Sequence, residues 1–370
     1  KYVYIIIKIY QKIYNLAYYI IYIIKYNILK PPKIMKSKIL LPVFLLLSLS
    51  SMAQADTSAM AAEVSTSYTI YFDGYFKSDF SKQSTNNKTS FTNSNQSLQL
   101  GMASIKLDHN KGNFAGTLDL GLGKRAQEFS YNDNGVVQAI KQAYLSYAPM
   151  NGLKITVGKW ATHIGYELLD AYSNRNYSMS YGFSYGPFFH TGIRADIALG
   201  GKSAMMIGFA QPTDFVSSSS PDKMLIAQFS TSSKDDQLKA FLNYQGGKDK
   251  SQFDLVLNGV VNSKLGINYD GTIANISGNN WTSNAVYVNY DPSAKFGFTL
   301  RSEYFNDTKN AVGVGTSIFQ NTLSANIHFS KLTLIPEIRF DNAKDKIFFN
   351  SNNNLNQYAG NFLIAAVYKF

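Results

Sequence analysis

The sequence has 370 residues, contains no cysteine and carries a formal net charge of +11. The lack of cysteine excludes disulfide frameworks, thiol catalysis and cysteine-ligated zinc sites. Much of the positive charge lies in residues 1–55, which hold eight lysines and no acidic residue. The remainder is nearly balanced in charge, so the sequence lacks the signature of a nucleic-acid-binding protein.

Residues 1–34 are expected to lie outside the fold. They consist almost entirely of Ile, Tyr, Lys and Asn, the amino acids of AT-rich codons, and they begin with Lys rather than Met. We interpret them as upstream sequence translated from a misplaced start. The alternative is an amphipathic or membrane-inserting helix over residues 13–24, which is shorter than the roughly 20 residues of a membrane span.

Residues 35–55 have the pattern of a secretory signal peptide. Met35 is followed by two lysines, an apolar core at residues 39–49 and a small-x-small cleavage site at Ala53-Gln54-Ala55. The sequence therefore predicts an exported protein that begins at Asp56, with a short lead over residues 56–66.

From Tyr68 to the C-terminus, apolar and polar residues alternate in short segments separated by Gly, Asn, Asp, Ser and Lys clusters. Thr322–Ser330 is the clearest case, because its odd positions are apolar and its even positions are polar. A soluble sandwich and a membrane barrel both fit such strands. Their number favours an all-β fold over residues 67–370, a transmembrane antiparallel up-and-down barrel of about 16 strands (range 12 to 18).

The chain ends on Phe370, preceded at alternating positions by Tyr368 and by Phe362 further upstream. This pattern resembles the terminal strand signal that the barrel assembly machinery of outer membranes recognises. Together with the signal peptide, it predicts insertion into the outer membrane of a Gram-negative bacterium. Other aromatic residues near strand ends are candidates for the two interfacial girdles, with ordinary strand packing as the alternative for each: Tyr71, Phe72, Tyr75, Phe76, Tyr144, Tyr147, Tyr287, Tyr290, Tyr304 and Phe305.

Opposite charges stand two residues apart, and hence on one strand face, in three places: Arg194 with Asp196, Arg301 with Glu303, and Glu337 with Arg339. A charge that faces lipid near the midplane costs about 2 to 4 kcal/mol, so these side chains are expected to face the lumen. Two roles remain open for them. They line a water-filled channel, or they form salt bridges between neighbouring strands.

Residues 158–192 form the longest run of aromatic, Gly, Asn and charged residues. We expect a strand to end at Trp160 and another strand over residues 176–185, which leaves a loop at 161–175. Glu167, Asp170 and Arg175 are the candidates for a channel constriction, with His190 and Arg194 on the facing wall. Neutralising Glu167 and Asp170 is expected to lower the preference for cations.

Residues 182–186 match the G-x-S-x-G nucleophile elbow, but Pro187 directly follows and no helix can continue smoothly from there. His109, His163, His190 and His328 show no metal-ligand spacing. We predict no catalytic residue, no metal ligand and no cofactor.

Residues 158–192 also resemble the OmpL-like β-barrel porin family. The matching residues are Gly158-Lys159, Gly165, Glu167, Asn174, Asn176-Tyr177-Ser178, Pro187-Phe188 and His190-Thr191-Gly192. The resemblance implies a channel for passive passage of small hydrophilic solutes and ions. Its expected partners are these solutes and outer-membrane lipid, and no nucleic acid. A homo-oligomer is compatible with the resemblance.

Three alternatives remain. A nutrient-selective channel would use the tyrosines of this stretch as a stacking path: Tyr166, Tyr172, Tyr177, Tyr181 and Tyr185. A barrel enzyme would use Ser184 or a histidine. A non-conducting adhesin would use the polar residues 82–95.

Overall fold

The computed structural model describes residues 64–370. The expected upstream extension, the signal peptide and most of the lead therefore lie outside the described residues. The first strand begins at Val64, a few residues before the predicted start of the barrel. Between Val64 and Phe370, no helix has the length and apolar character that a membrane crossing requires.

Within these residues, sixteen antiparallel strands form a closed barrel, which confirms the predicted architecture. Each strand pairs with its neighbours in the chain, and the last strand closes the barrel against the first. The barrel strands are β1 (Val64–Asp79), β2 (Ser97–Lys111), β3 (Phe114–Leu122), β4 (Ile140–Met150), β5 (Leu153–Ala161), β6 (Phe189–Gly200), β7 (Ser203–Ala210), β8 (Met224–Ser232), β9 (Leu238–Gly246), β10 (Lys250–Asn262), β11 (Leu265–Ile276), β12 (Asn279–Ser293), β13 (Phe296–Asn306), β14 (Ser317–Phe329), β15 (Leu332–Ala343) and β18 (Tyr358–Lys369).

The remaining elements lie in the connections. The strands β16 (Phe348–Phe349) and β17 (Leu355–Asn356) pair with each other in the loop before β18. Two short helices are α1 (Lys124–Phe129) and α2 (Tyr181–Tyr185). Single 3₁₀ turns occur at Ser84–Asn86, Gly135–Ala139 and Ala171–Ser173.

Along the strands, apolar side chains face outward and polar side chains face the interior of the barrel. In β14, Leu323 is 49% exposed on the outer face, whereas the neighbouring Ser324 is completely buried inside the barrel. The same parity places large apolar side chains outside along the other strands, as a lipid-facing surface requires. The polar positions therefore form the wall of the lumen.

The two ends of the barrel differ in their connections. At one end the strands are joined by tight turns, such as residues 112–113 between β2 and β3 and 330–331 between β14 and β15. At the other end lie long loops, including residues 80–96 and 162–188. Outer-membrane barrels place short turns on the periplasmic side, so we assign the long loops to the outside of the cell.

The C-terminal strand closes the barrel. The N–H of Phe370 donates to the carbonyl of Ile70 at 2.9 Å, and the Phe370 ring stacks on Phe72 with 6.1 Å between ring centroids. Phe362 and Tyr368 also lie on the outer face and are exposed. Their recognition by the assembly machinery stays a prediction.

Of the ten aromatic residues considered for the girdles, four are exposed on the outside, four are buried inside the barrel, and Phe76 and Tyr144 are half-buried. Phe72, Tyr147, Tyr290 and Tyr304 are exposed on the outside, as expected, but four others point inward and are buried: Tyr71, Tyr75, Tyr287 and Phe305. A period of two moves adjacent residues to opposite faces, so proximity to a strand end does not determine which face an aromatic side chain occupies.

Candidate functional site: the lumen and its inserted loop

Residues 162–188, which we call the lumen loop, leave β5 and fold into the barrel before they enter β6. The predicted strand over residues 176–185 is wrong. This segment is irregular and ends in helix α2, whose first turn is capped by the Ser180 side chain accepting from the N–H of Phe183. Its backbone N–H groups bind side chains of the barrel wall, so no strand ladder is needed to satisfy them.

Wall carboxylates from four strands accept hydrogen bonds from this backbone. Glu303 on β13 accepts from Tyr181 and Gly182 at 2.8 and 2.7 Å. Glu337 on β15 accepts from Tyr177 at 3.0 Å and Ser178 at 3.4 Å. Two further carboxylates hold the beginning of the loop, where Asp254 on β10 binds the N–H of Gly165 at 3.0 Å and Asp270 on β11 binds that of Tyr166 at 2.9 Å.

Arginine side chains bind the carbonyl groups of the same loop. Arg301 on β13 donates to the Ser178 carbonyl at 2.7 Å and pairs with Glu167 at 2.6 Å. Arg339 on β15 donates to the Met179 carbonyl at 2.8 Å and pairs with Asp341 at 2.9 Å. From α1, Arg125 donates to the carbonyls of Leu169 and Tyr177. Arg301 and Arg339 are thus each paired with a carboxylate, whereas Arg125 is held by loop carbonyl groups.

The candidate constriction residues lie at separate places along the wall. Glu167 is 4% exposed and is held by Arg301. Asp170 pairs with Lys141 on β4 at 2.6 Å. Arg175 pairs with Asp291 on β12 at 2.5 Å. The three charges on the loop are therefore each matched by an opposite charge from a different strand.

His190, the first of the two residues expected on the facing wall, is buried at the start of β6, where its Nε2 lies 3.1 Å from the Thr162 hydroxyl. Arg194, the second, remains 20% exposed and lies over the Trp160 ring at 5.0 Å. Only the arginine of this pair keeps contact with water.

Water-accessible charges on the wall include residues of β2, β5 and β6, besides the pair of Arg175 with Asp291 described above. Lys106 and Asp108 on β2 pair at 3.1 Å with side-chain exposures of 29% and 30%. Asp196 on β6 is 31% exposed and lies 3.6 Å from Arg194 and 3.5 Å from Lys154 of β5. We call these five residues the accessible strip: Lys106, Asp108, Lys154, Arg194 and Asp196.

Three members of the accessible strip were missed by the sequence analysis. Lys106 and Asp108 are opposite charges two residues apart, so the rule that found the other pairs also identifies them. Lys154 is opposite Asp196 in the β5–β6 register and has no partner in its own strand. Only the strand register reveals its role.

The G-x-S-x-G pattern has a packing explanation. A Cβ atom at Gly182 would lie 2.7 Å from the Ser283 hydroxyl, so a larger residue would disturb the contact with Glu303. The Ser184 hydroxyl donates to the Ser180 carbonyl at 2.8 Å and accepts from the N–H of Ser90 at 3.0 Å. Gly182 and Ser184 therefore both position the lumen loop.

Burial also shifts titratable groups outside the strands. It lowers the pKa of His163 in the lumen loop to about 4, so this imidazole is neutral at pH 7. Asp214 accepts from the N–H groups of Phe188 and Phe189 at 2.7 and 3.0 Å, and burial raises the pKa of its carboxyl. In residues 64–370, no group of three or more His, Asp or Glu side chains is arranged to hold a metal ion.

Comparison with known proteins gives one family match. The family described as "Putative beta-barrel porin-2, OmpL-like" matches residues 66–370. No curated protein matches the sequence.

Several solved structures share the fold. The outer membrane channel DcaP of Acinetobacter baumannii has a TM-score of 0.57 at 13% identity, covering 85% of this chain and 99% of that chain. OmpT of Vibrio cholerae, in its trimer form, has 0.56 at 14%, covering 83% and 99%. The anion-selective porin from Comamonas acidovorans has 0.53 at 12%, covering 83% and 100%. At these identities the likeness extends to the fold alone.

Proposed function

Because the chain belongs to the OmpL-like β-barrel porin family, it is a porin channel, and we propose that its solutes cross along the accessible strip. The single observation that carries the proposal is the contrast in exposure within the lumen. Lys106, Asp108, Lys154, Arg194 and Asp196 keep contact with water. The charges on β13–β15 are covered by the lumen loop.

The accessible strip has the chemistry of a path for small hydrophilic solutes and ions. It holds three basic and two acidic side chains, so water and both signs of ion find partners on the wall. Arg194 lies 3.6 Å from Asp196, and Lys106 lies 3.1 Å from Asp108. Lys154 adds a third positive charge, so the five residues together produce a weak positive field. We therefore expect passive diffusion with a mild preference for anions.

The site of action is the outer membrane. The chain is exported by a cleaved signal peptide and is inserted into this membrane through recognition of its C-terminal strand. The apolar outer face of the barrel and the outer-membrane neighbours support this assignment. A homo-oligomer is part of the proposal, supported by the trimer form in which OmpT of Vibrio cholerae occurs.

Conductance in planar bilayers tests the proposal. The refolded chain should conduct ions, and in a salt gradient the small reversal potential should have the sign of an anion-selective channel. A folded barrel that passes no current contradicts the proposal and favours an adhesin or structural barrel.

Liposome swelling separates general diffusion from a nutrient channel. The stacking path predicted for the tyrosines of the lumen loop is partly closed, because Tyr177 and Tyr181 are completely buried. We expect permeation of neutral solutes to depend on size alone. Faster entry of one sugar than of a size-matched polyol would support the nutrient channel.

Catalysis is not part of the proposed function. Ser184 is engaged in two hydrogen bonds within the loops, and His190 is buried against Thr162. Any esterase or lipase activity of a preparation should survive in Ser184→Ala and His190→Ala. Its loss in either variant contradicts the assignment as a channel without catalysis.

A further inference from the structure

The outer face of β2–β5 carries an apolar groove near the end with the tight turns. Its volume is about 700 Å³, within the range of ordinary ligand pockets. Gly116 and Ala143 form its floor, and its walls are the outward side chains of Leu107, Leu118, Leu145 and Val157. We call this feature the β2–β5 groove.

The groove exists because Gly116 has no side chain and Ala143 only a methyl group, between larger outward side chains. Its neighbours Leu145 and Val157 are 72% and 53% exposed. A Cβ atom at Gly116 would lie 3.2 Å from Cδ2 of Leu145, so even a small side chain begins to fill the space. A furrow of this kind among projecting apolar groups fits a hydrocarbon chain.

The β2 side of the groove is basic, with Lys111 opposite Phe114 at the turn end and His109 opposite Gly116. His109 and Lys111 belong to its lining, and the Thr66 hydroxyl lies 2.8 Å from Nδ1 of His109. Phe114 stacks on Tyr147 beside them, with 4.7 Å between ring centroids, as interfacial aromatic residues do. The lining residues, all within the described part of the chain, include no Asp or Glu.

We propose that the β2–β5 groove binds one phospholipid of the periplasmic leaflet, with an acyl chain over Gly116 and the phosphate against Lys111 and His109. An anionic head group joined to a hydrocarbon chain is complementary to a basic rim joined to an apolar furrow. The inference rests on insertion of the barrel into the membrane, which is part of the proposed function. It does not depend on conduction.

A second groove on the same outer face provides a matched control. It lies over Ala195 between Ile193, Ile207 and Phe209, with a volume of about 280 Å³. Its one charged lining residue is Arg194, whose guanidinium packs over Trp160 on the lumen side. This groove therefore offers apolar surface without a basic rim.

Native mass spectrometry of the refolded full chain in detergent, titrated with palmitoyl-oleoyl phosphatidylglycerol, tests the proposal. We expect the wild type to retain one lipid, and Gly116→Leu and Lys111→Gln each to lower retention about tenfold, which corresponds to roughly 1.4 kcal/mol. Ala195→Leu should retain lipid like the wild type. Gel mobility before and after heating establishes that each variant is folded, and Lys111→Gln alone decides the test if Gly116→Leu does not fold.

Equal retention in all variants overturns the proposal, as does equal loss in Gly116→Leu and Ala195→Leu. A wild type that is lipid-free and oligomeric, with a Gly116→Leu variant that becomes monomeric, assigns the groove to a second copy of the chain instead. Bilayer conductance measured on the same samples separates this test from that of the channel. A barrel that retains lipid but conducts no ions contradicts the proposed channel and leaves the proposed lipid site supported.

Discussion

Two parts of the lumen wall carry the same sequence pattern and have different environments. On β13, Arg301 and Glu303 stand two residues apart and are completely buried. On β6, Arg194 and Asp196 stand two residues apart and keep exposures of 20% and 31%. The difference comes from the lumen loop, which covers the first pair and leaves the second in contact with water.

The comparison teaches that one pattern serves two physical roles. Under the loop, Glu303 and Glu337 accept hydrogen bonds from loop N–H groups, and Arg301 pairs with Glu167, so these charges anchor the loop. On the accessible strip, charges remain partly hydrated and are available to ions. Of the two roles left open by the sequence, salt bridging occurs on both walls, because Lys154 pairs with Asp196 on the accessible strip as Arg301 pairs with Glu167 under the loop. Channel lining by the exposed charges stays a proposal.

The largest effect is expected from breaking the anchor on β13. Arg301→Met removes the partner of Glu167 and the donor to the Ser178 carbonyl. Leaving a buried charge without its partner costs about 3 to 5 kcal/mol. The midpoint of thermal unfolding, followed by gel mobility, should fall strongly, and single-channel current should rise and become noisy as the lumen loop loosens.

The double variant Arg301→Met with Glu167→Gln controls this experiment. It removes both charges, so it should recover part of the stability lost in the single variant. Unfolding midpoints that are simply additive contradict an anchor formed by the pair. That neutralising Glu167 and Asp170 lowers cation preference stays a prediction, and Glu167→Gln alone should also loosen the loop.

A smaller loss is expected when a wall carboxylate becomes an amide. Glu303→Gln keeps the side-chain shape but presents an NH₂ group to one of the two N–H donors, Tyr181 or Gly182. An unsatisfied buried donor costs about 1 to 3 kcal/mol. Asp108→Asn, on the accessible strip, is the matched control and should leave the unfolding midpoint nearly unchanged. An equal fall of the unfolding midpoint in Glu303→Gln and Asp108→Asn would contradict the distinction between the covered wall and the accessible strip.

The lumen loop should also make stability depend on pH. The pKa of His163 is about 4 in the folded chain, because of burial, and about 6.5 in an unfolded one. The folded state therefore binds fewer protons, and its full stability is present above pH 6.5. Stability is then lost as the pH falls from 6.5 through 4.

Unfolding midpoints measured between pH 8 and pH 4 check this expectation. His163→Gln should flatten the dependence in that window, whereas replacing the exposed His109 by Gln should leave it as it is in the wild type. An unchanged slope in His163→Gln contradicts a buried neutral imidazole.

The smallest effect on stability and the clearest effect on selectivity are expected on the accessible strip. Lys154→Gln removes one positive charge that is 50% exposed, so the stability should change by no more than about 0.5 kcal/mol. The reversal potential in a salt gradient should move toward cations. Lys202→Gln, in the β6–β7 turn, is the control, and an equal shift there would place Lys154 outside the ion path.

Much of the fold could be predicted from residue patterns. Alternation such as that of Thr322–Ser330 led to the barrel. That the last strand pairs with the first, with Phe370 hydrogen-bonded to Ile70, is seen only in the structure. The lumen loop was harder. Residues 176–185 alternate like a strand, but their N–H groups meet carboxylates from β13 and β15, more than a hundred residues later in the chain.

The period of two, the inward position of the paired charges and the porin family could all be predicted from residue patterns. These are local properties, since a strand sends successive side chains to opposite faces and lipid excludes charge from one of them. Only the tertiary structure decided which charges anchor the lumen loop and which meet water. That depends on where one loop crosses a closed barrel, because a charge is neutralised by whichever group lies within about 3 Å, regardless of its distance along the chain.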